Sequence, residues 1–327
     1  MYNLETDGGY YIADGIVVSN CRPPKNRTPT PDEIGYCRPN IVNAIKKLDP
    51  ERILLFGAAA VSSVLGWQWR ANPGAVGRWV GFKIPLRNPN AWACPLWHPS
   101  YLERADGQQD GPVIDLWFRR HLAAAAALEG RPWPDGPPDY GPLVDCEMDP
   151  AAAADKIAAY AGAGAIAFDF ETDRLKPDAT DARLVCASVS DGRRALAFPL
   201  VGPAISALRA LLRSPVAKIG WNIKFEERWA RAVLRTRVRN WVWDGQLAAH
   251  VLDNRQAITG LKFQAFVNLG QPPYETAIRG HLKGDAETGV NRAALAGVRD
   301  LLKYCGMDSL LEFLIAQKQR EIWKRRT

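Results

Sequence analysis

No run of apolar residues in this 327-residue chain approaches the length needed to cross a bilayer, and the opening Met1-Tyr-Asn-Leu-Glu-Thr-Asp7 is not a secretory leader. Cysteine is scarce and thinly spread. Six are present, which argues against a disulfide scaffold and for core residues or metal ligands in a reducing compartment. Strong charge is also missing. A net charge of +7 is far from histone-like and fits a nucleic-acid partner without establishing one. What is present is ample apolar content, 47%, enough for packed cores and against wholesale disorder. The expectation is a soluble protein with no membrane partner, in the cytoplasm of a bacterial or phage-infected cell.

The length suggests two or three domains. The clearest boundary is Glu129-Gly-Arg-Pro-Trp-Pro-Asp-Gly-Pro-Pro-Asp-Tyr-Gly-Pro142, too rich in proline and glycine for a helix or a central strand. Upstream, proline and acids at Pro31-Asp-Glu open a helix that should run to about Leu48. A strand at Arg52–Phe56, a small-residue helix at 58–65, strand signal near Phe82–Leu86 and an apolar helix over about 112–128 follow, an α/β alternation. Downstream the order reads helix 151–161, then strands 165–171, 183–190 and 194–199, then mainly helix to the end. The first twenty residues are turn-rich and short, and stand apart from both halves.

The run Ala165-Ile-Ala-Phe-Asp-Phe-Glu-Thr-Asp173 carries the strongest chemical signal. Alternation along a strand puts Asp169 and Glu171 on one face and Phe168 and Phe170 on the other. Two acids side by side on a central strand call for a cation, and hard oxygen donors suit Mg²⁺ or Mn²⁺. Two further patches join them. In Gly220-Trp-Asn-Ile-Lys-Phe-Glu226, Asn222 precedes a helix carrying Glu226, Trp229 and Val233. In Leu301-Leu-Lys-Tyr-Cys-Gly-Met-Asp-Ser-Leu-Leu311, Tyr304 and Asp308 are four apart and share a helical face within an apolar stripe bordered by Leu301 and Leu311.

Together these patches resemble the three motifs of the DEDDy 3′–5′ exonucleases, the proofreading domains of family A DNA polymerases. Asp169 and Glu171 match DxE, Asn222 and Glu226 match the second motif, and Tyr304 and Asp308 match Yx₃D. Asp244 matches an acidic position before a helix, and Gly260-Leu-Lys-Phe-Gln-Ala-Phe resembles the family's Leu-Lys helix. The resemblance covers about residues 150–325 and implies a ribonuclease-H-like fold. It also implies two-metal phosphodiester hydrolysis with two Mg²⁺ or Mn²⁺ ions. Asp169 would bridge the metals, Glu171 and Asp308 would complete their shells, and Tyr304 would orient the attacking water. Glu226 stands where aspartate is usual, one methylene longer, which is expected to displace the second ion slightly and slow the reaction.

The stretch Cys21-Arg-Pro-Pro-Lys-Asn-Arg through Cys37-Arg-Pro, with Leu96-Trp-His-Pro-Ser-Tyr-Leu102 further on, resembles the iron–sulfur uracil-DNA glycosylases. The resemblance implies that His98 stabilises charge on the departing uracil and that Cys21 and Cys37 are cluster ligands. Two further cluster cysteines and a Gly-Glu-Ala-Pro-Gly-type loop of that family are missing. Residues 21–128 therefore correspond to its C-terminal part, and an iron–sulfur cluster is expected only if a missing half completes it. Before it, Tyr2-Asn-Leu-Glu-Thr and Tyr11-Ile-Ala-Asp-Gly-Ile-Val-Val-Ser-Asn-Cys21 resemble the end of an intein, in which Asn20 would cyclise and Cys21 would accept the upstream segment. Ser19 and Gly9 depart from that pattern, and an ordinary β-hairpin extension is the alternative.

The expected organisation is an intein fragment at 1–20, a partial glycosylase-like domain at 21–128, a linker at 129–145 and an exonuclease at 146–327. The fold class is α/β: a ribonuclease-H-like domain plus a partial three-layer α/β domain. The expected partners are single-stranded DNA 3′ ends, a separately encoded DNA polymerase, and a chain carrying the N-terminal glycosylase and intein halves. The rival function is a catalytically degenerate nucleic-acid-binding or polymerase-interaction module. The basic helix ending Lys318-Gln-Arg-Glu-Ile-Trp-Lys-Arg-Arg326 would contact phosphates or lie solvated.

Overall fold

The computed structural model describes residues 10–13, 16–19, 27–105 and 111–325; of residues 10–13 and 16–19 and of Ala105 only the backbone is described. The chain divides into two compact units, residues 1–138 with 266–273, and residues 139–265 with 274–327.

In the first unit, β1 (Tyr10–Ala13) and β2 (Ile16–Ser19) pair antiparallel as a hairpin, and β2 runs near β3 (Arg52–Phe56). Helix α1 (Pro31–Leu48) starts where its sequence says it should. Thr30 and Glu33 form a reciprocal capping box, Pro31 occupies the first turn, and Lys46 and Lys47 face the negative end of the helix. Strand β3 passes without a loop into α2 (Gly57–Gln68), because Gly57 takes φ +80°, a conformation open to glycine. Strands β4 (Ile84–Pro85) and β5 (Trp92–Leu96) complete a sheet of order β3-β5-β4, with β3 parallel and β4 antiparallel to β5. Helices α3 (Pro99–Ala105) and α4 (Gly111–Ala126) follow. Ile41 and Ile45 of α1, Ile53 and Leu55 of β3, and Val61 and Leu65 of α2 are buried. The Pro/Gly-rich stretch is held down as it leaves α4. Arg131 pairs with Asp49 at 2.8 Å, and the Asn90 amide donates to the Trp133 carbonyl at 2.6 Å.

The second unit is built on a six-stranded sheet. Its elements are β6 (Val144–Cys146), α5 (Pro150–Ala159), β7 (Ala165–Thr172), β8 (Leu184–Ser190), β9 (Ala195–Pro199), α6 (Pro203–Arg213), β10 (Ala217–Gly220), α7 (Ile223–Ala232), β11 (Trp241–Asp244), α8 (Gly245–Leu252), α9 (Leu261–Leu269), α10 (Arg279–Leu282) and α11 (Val298–Lys324). The sheet order is β11-β10-β7-β8-β9-β6. An antiparallel meander β7-β8-β9 is extended on the β7 side by two parallel strands, each reached through a helix. That strand order is the expected ribonuclease-H-like α/β arrangement, with β6 added in parallel at the β9 edge.

The two faces of β7 have opposite duties. Phe168 and Phe170 join Val189, Phe198, Ile157, Leu208 and Trp229 in the main core beneath α5, α6 and α7. Complete burial of Phe168 or Phe198 contributes about 1.5–3 kcal/mol each. The other face, where Ala167 is joined by Ile219 of the neighbouring β10, lies under Phe313 and Ala316 of α11. Among the described residues no helix is long and apolar enough to cross a membrane.

Candidate metal centre

The α11-facing side of β7 carries Asp169 and Glu171, and the antiparallel register sets Ser188 opposite Asp169 and Cys186 opposite Glu171. Helix α11 lies across this floor. The Ser188 hydroxyl donates to the Cys305 carbonyl at 2.7 Å, and the Cys305 Sγ is 3.7 Å from Asp169 Oδ2. One ligand atom from each of Asp169, Glu171 and Cys305 lies within 4.8 Å of the other two. One turn above Tyr304 on α11, Asp308 is 6% exposed, and its Oδ1 accepts from both the Lys262 ammonium and the Tyr274 hydroxyl. Lys262 Nζ also stands 4.3 Å from the Tyr304 ring centre and 4.5 Å from that of Tyr274.

The third side comes from β10 and α7. Asn222 leaves β10 in a left-handed conformation, φ 62°, and starts α7. Asp244 fixes that turn: its carboxylate accepts from the backbone N–H groups of Asn222 and Ile223, each at 3.1 Å, while also capping α8 through Gln246 and Leu247. Glu226, in the first turn of α7, is 2% exposed, and its Oε2 lacks a hydrogen-bond partner among the described residues. Glu312, one turn beyond Asp308, is in the same condition.

Burial and mutual repulsion dominate the electrostatics. Burial first and then the Asp308 charge push the Asp169 carboxyl up to about 8. Burial and the neighbouring carboxylates likewise raise Glu171, Glu226 and Glu312 well above the usual carboxylate range. Burial and Asp308 keep Tyr304 a phenol. A cluster of hard oxygen donors that resist ionising together, two with unpartnered buried oxygens, fits divalent cations in place of the missing countercharge.

Of the positions read from sequence, Asp169, Glu171, Glu226, Tyr304 and Asp308 converge here. Asn222 lies at the turn beside them with its side chain exposed and, among the described residues, no side-chain hydrogen bond to those carboxylates. Lys262, Tyr274, Cys305 and Glu312 were not assigned to the site. Glu312 extends the Tyr304–Asp308 stripe by one more turn, a signal that was open to reading. Tyr274 sits in a loop with no local signal.

In the first unit His98 is exposed at the mouth of a cavity of about 60 Å³ lined by Ile45, Phe56, Ser63 and Val64, among others. Its Nδ1 accepts from the Ser100 backbone N–H at 3.2 Å and lies 2.7 Å from the Ser100 hydroxyl, which leaves Nε2 as the protonated nitrogen of the neutral ring. The β3–α2 turn lies directly beneath, and a Cβ on Gly57 would come within 2.9 Å of His98 Cβ. Asn20 and Cys21 lie outside the described residues. Cys37 is exposed on α1, Cys94 is buried in β5, and Cys146, Cys186 and Cys305 belong to the second unit. The described cysteines therefore do not assemble the four thiolates of an iron–sulfur cluster.

Comparison with known proteins follows the same division. The 3′–5′ exonuclease family profile matches residues 144–322. The uracil DNA glycosylase superfamily profile matches residues 5–121. A type-4 uracil-DNA glycosylase of Thermotoga maritima is 35% identical over 92 residues, 27% of this chain; the chain spans 43% of that relative's length. Among solved structures, Brucella melitensis NrnC with bound Mg²⁺ is 17% identical with a TM-score of 0.41, covering 56% of this chain and 82% of that one. Escherichia coli RNase D is 17% identical with a TM-score of 0.41, covering 54% and 44%.

Proposed function

The chain belongs to the 3′–5′ exonuclease family, and from that premise we propose that it is a metal-dependent exonuclease of the DEDDy type that removes nucleotides from single-stranded DNA 3′ ends. The observation that carries this reading is the convergence of Asp169, Glu171 and Asp308, from β7 and α11, in one buried cluster with Tyr304 beside it. Asp169, Glu171 and Asp308 would hold the cations, with Glu226 behind them. When bound, two divalent ions supply the positive charge that phosphodiester hydrolysis needs at the attacking and leaving oxygens.

The chain's own groups do the rest. Tyr304 keeps its proton and orients water towards phosphorus. As the water oxygen bonds to phosphorus and its proton passes to solvent, the bond from phosphorus to the 3′ oxygen breaks, that oxygen takes up a proton and a nucleoside 5′-monophosphate leaves. Lys262, between the two phenols, fixes Asp308 and adds a positive charge to a site that would take a polyanion.

The test is nucleotide release from 3′-labelled single-stranded DNA by the purified chain with Mn²⁺, beside Asp308→Ala and a matched RNA. Release lost in the variant supports the reading, and faster trimming of RNA would correct the substrate. The rival is a degenerate module. DNA binding without turnover in Mg²⁺ or Mn²⁺ would favour it.

The glycosylase-like segment is proposed to act only with an upstream half, and a separate polymerase is the proposed partner of the exonuclease. For the first twenty residues, the glycosylase profile begins at residue 5, upstream of Cys21, which favours the hairpin as part of that segment. A ligated product formed with an upstream chain and lost in Asn20→Ala would favour the intein reading instead.

A further inference from the structure

Glu312 belongs to none of the three motifs, yet it lies on α11 one turn past Asp308 and two past Tyr304, on the same helical face. It is 2% exposed, and its Oε2 has no hydrogen-bond partner among the described residues. Glu226, arriving from α7, is buried to the same degree with the same unpartnered oxygen. The charges acting on Glu312 are Asp169, Glu226 and Asp308, opposed by Lys262. Lys262 is already engaged by Asp308. Five acids (Asp169, Glu171, Glu226, Asp308 and Glu312) thus crowd one ammonium, which Asp308 already holds, and Glu226 and Glu312 keep unpartnered buried oxygens that bound cations would satisfy.

We propose that Glu312 is a further ligand of the cation site, supplying a buried hard oxygen from the α11 face that also carries Tyr304 and Asp308. The proposal rests on the metal-dependent reading above. The class of ion is a small, oxygen-preferring divalent cation of the Mg²⁺ or Mn²⁺ kind.

The test is Mn²⁺ uptake by the full chain, followed by electron paramagnetic resonance of the free ion and by thermal melting, with no nucleic acid present. The wild type should take up two ions. Glu312→Gln, nearly isosteric, should melt in chelator at or above the wild-type temperature, since a buried charge is gone. It should bind the weaker ion about tenfold less tightly or worse. A glutamate kept for packing, or one that only shares a proton with Glu226, predicts unchanged Mn²⁺ number and affinity, and that result overturns the proposal. If the Gln variant does not fold, Glu312→Asp keeps the charge and shortens the reach. It must then show the same loss with near-wild-type melting, and unaltered affinity sinks the idea. A wild type that takes up no Mn²⁺ removes the metal-dependent reading and this proposal together, whereas uptake indifferent to Glu312 removes this proposal alone.

Discussion

Asp169 sits where its charge works against the folded chain. Burial and Asp308 raise its carboxyl from 3.8 to about 8, so the folded state holds a proton that the unfolded state has already released. For such a group the stabilising contribution is complete below the unfolded pKa and is lost as pH rises through the folded one. In chelator, the melting temperature is therefore expected to fall steadily from about pH 4 to about pH 8, the window between those two values. Added Mn²⁺ should stabilise more at the upper end, where the carboxylates are free to bind it. Scanning fluorimetry across pH, with and without Mn²⁺, checks both; a flat metal-free profile contradicts the raised carboxyl. Asp169→Asn should flatten the profile, raise metal-free melting near the upper end, and bring nucleotide release to background.

At the scale of elements, the site depends on how closely α11 approaches the sheet. Gly306, between Cys305 and Asp308, makes that approach possible: a Cβ there would overlap Val144 Cγ1 and meet Ala197 Cβ at 3.3 Å. Gly306→Ala should cost about 1–3 kcal/mol in urea unfolding and slow nucleotide release, because Asp308 is carried away with the helix. Adding Val144→Ala should recover much of the stability, and failure of that rescue would place the cost elsewhere. The sequence made α11 and β7 legible because each carries a period over many residues, two on the strand and 3.6 on the helix. It did not make β10 and β11 legible. Each is four residues long, and Trp241 earns its strand from stacking on Phe168, with ring centres 5.2 Å apart, not from local alternation. The same limit hid Tyr274, and it hid the meeting of Lys262 with Asp308 although the Leu-Lys segment itself was legible. Lys262 and Tyr274 meet Asp308 across 46 and 34 residues of chain, contacts of tertiary packing that a local pattern does not specify.

For the molecule as a whole, the two units differ in how complete their chemistry is. The exonuclease unit gathers its acids, its phenols and its ammonium within itself. The glycosylase-like unit has His98 at a cavity and, among its described residues, two cysteines, Cys37 and Cys94. Burial holds the Cys94 thiol up to about 12, far from the thiolate that iron requires, and Cys37 is exposed on α1. Cys146, Cys186 and Cys305 are committed to the other unit, and burial raises Cys305 strongly as well. With six cysteines in the chain, the proposed ligand pair Cys21 and Cys37 would supply half of what a four-thiolate cluster needs. The purified chain is therefore expected to carry no stoichiometric iron and no visible iron–sulfur absorbance. It should release no free uracil from uracil-containing single-stranded DNA, while still shortening that DNA from its 3′ end in Mn²⁺. Metal analysis and chromatography of the products separate the two activities in one sample. Iron at one cluster per chain, lost in Cys37→Ser, would mean that the chain finds its remaining ligands without a second half, and that the glycosylase-like unit is complete in a way its cysteine count does not suggest.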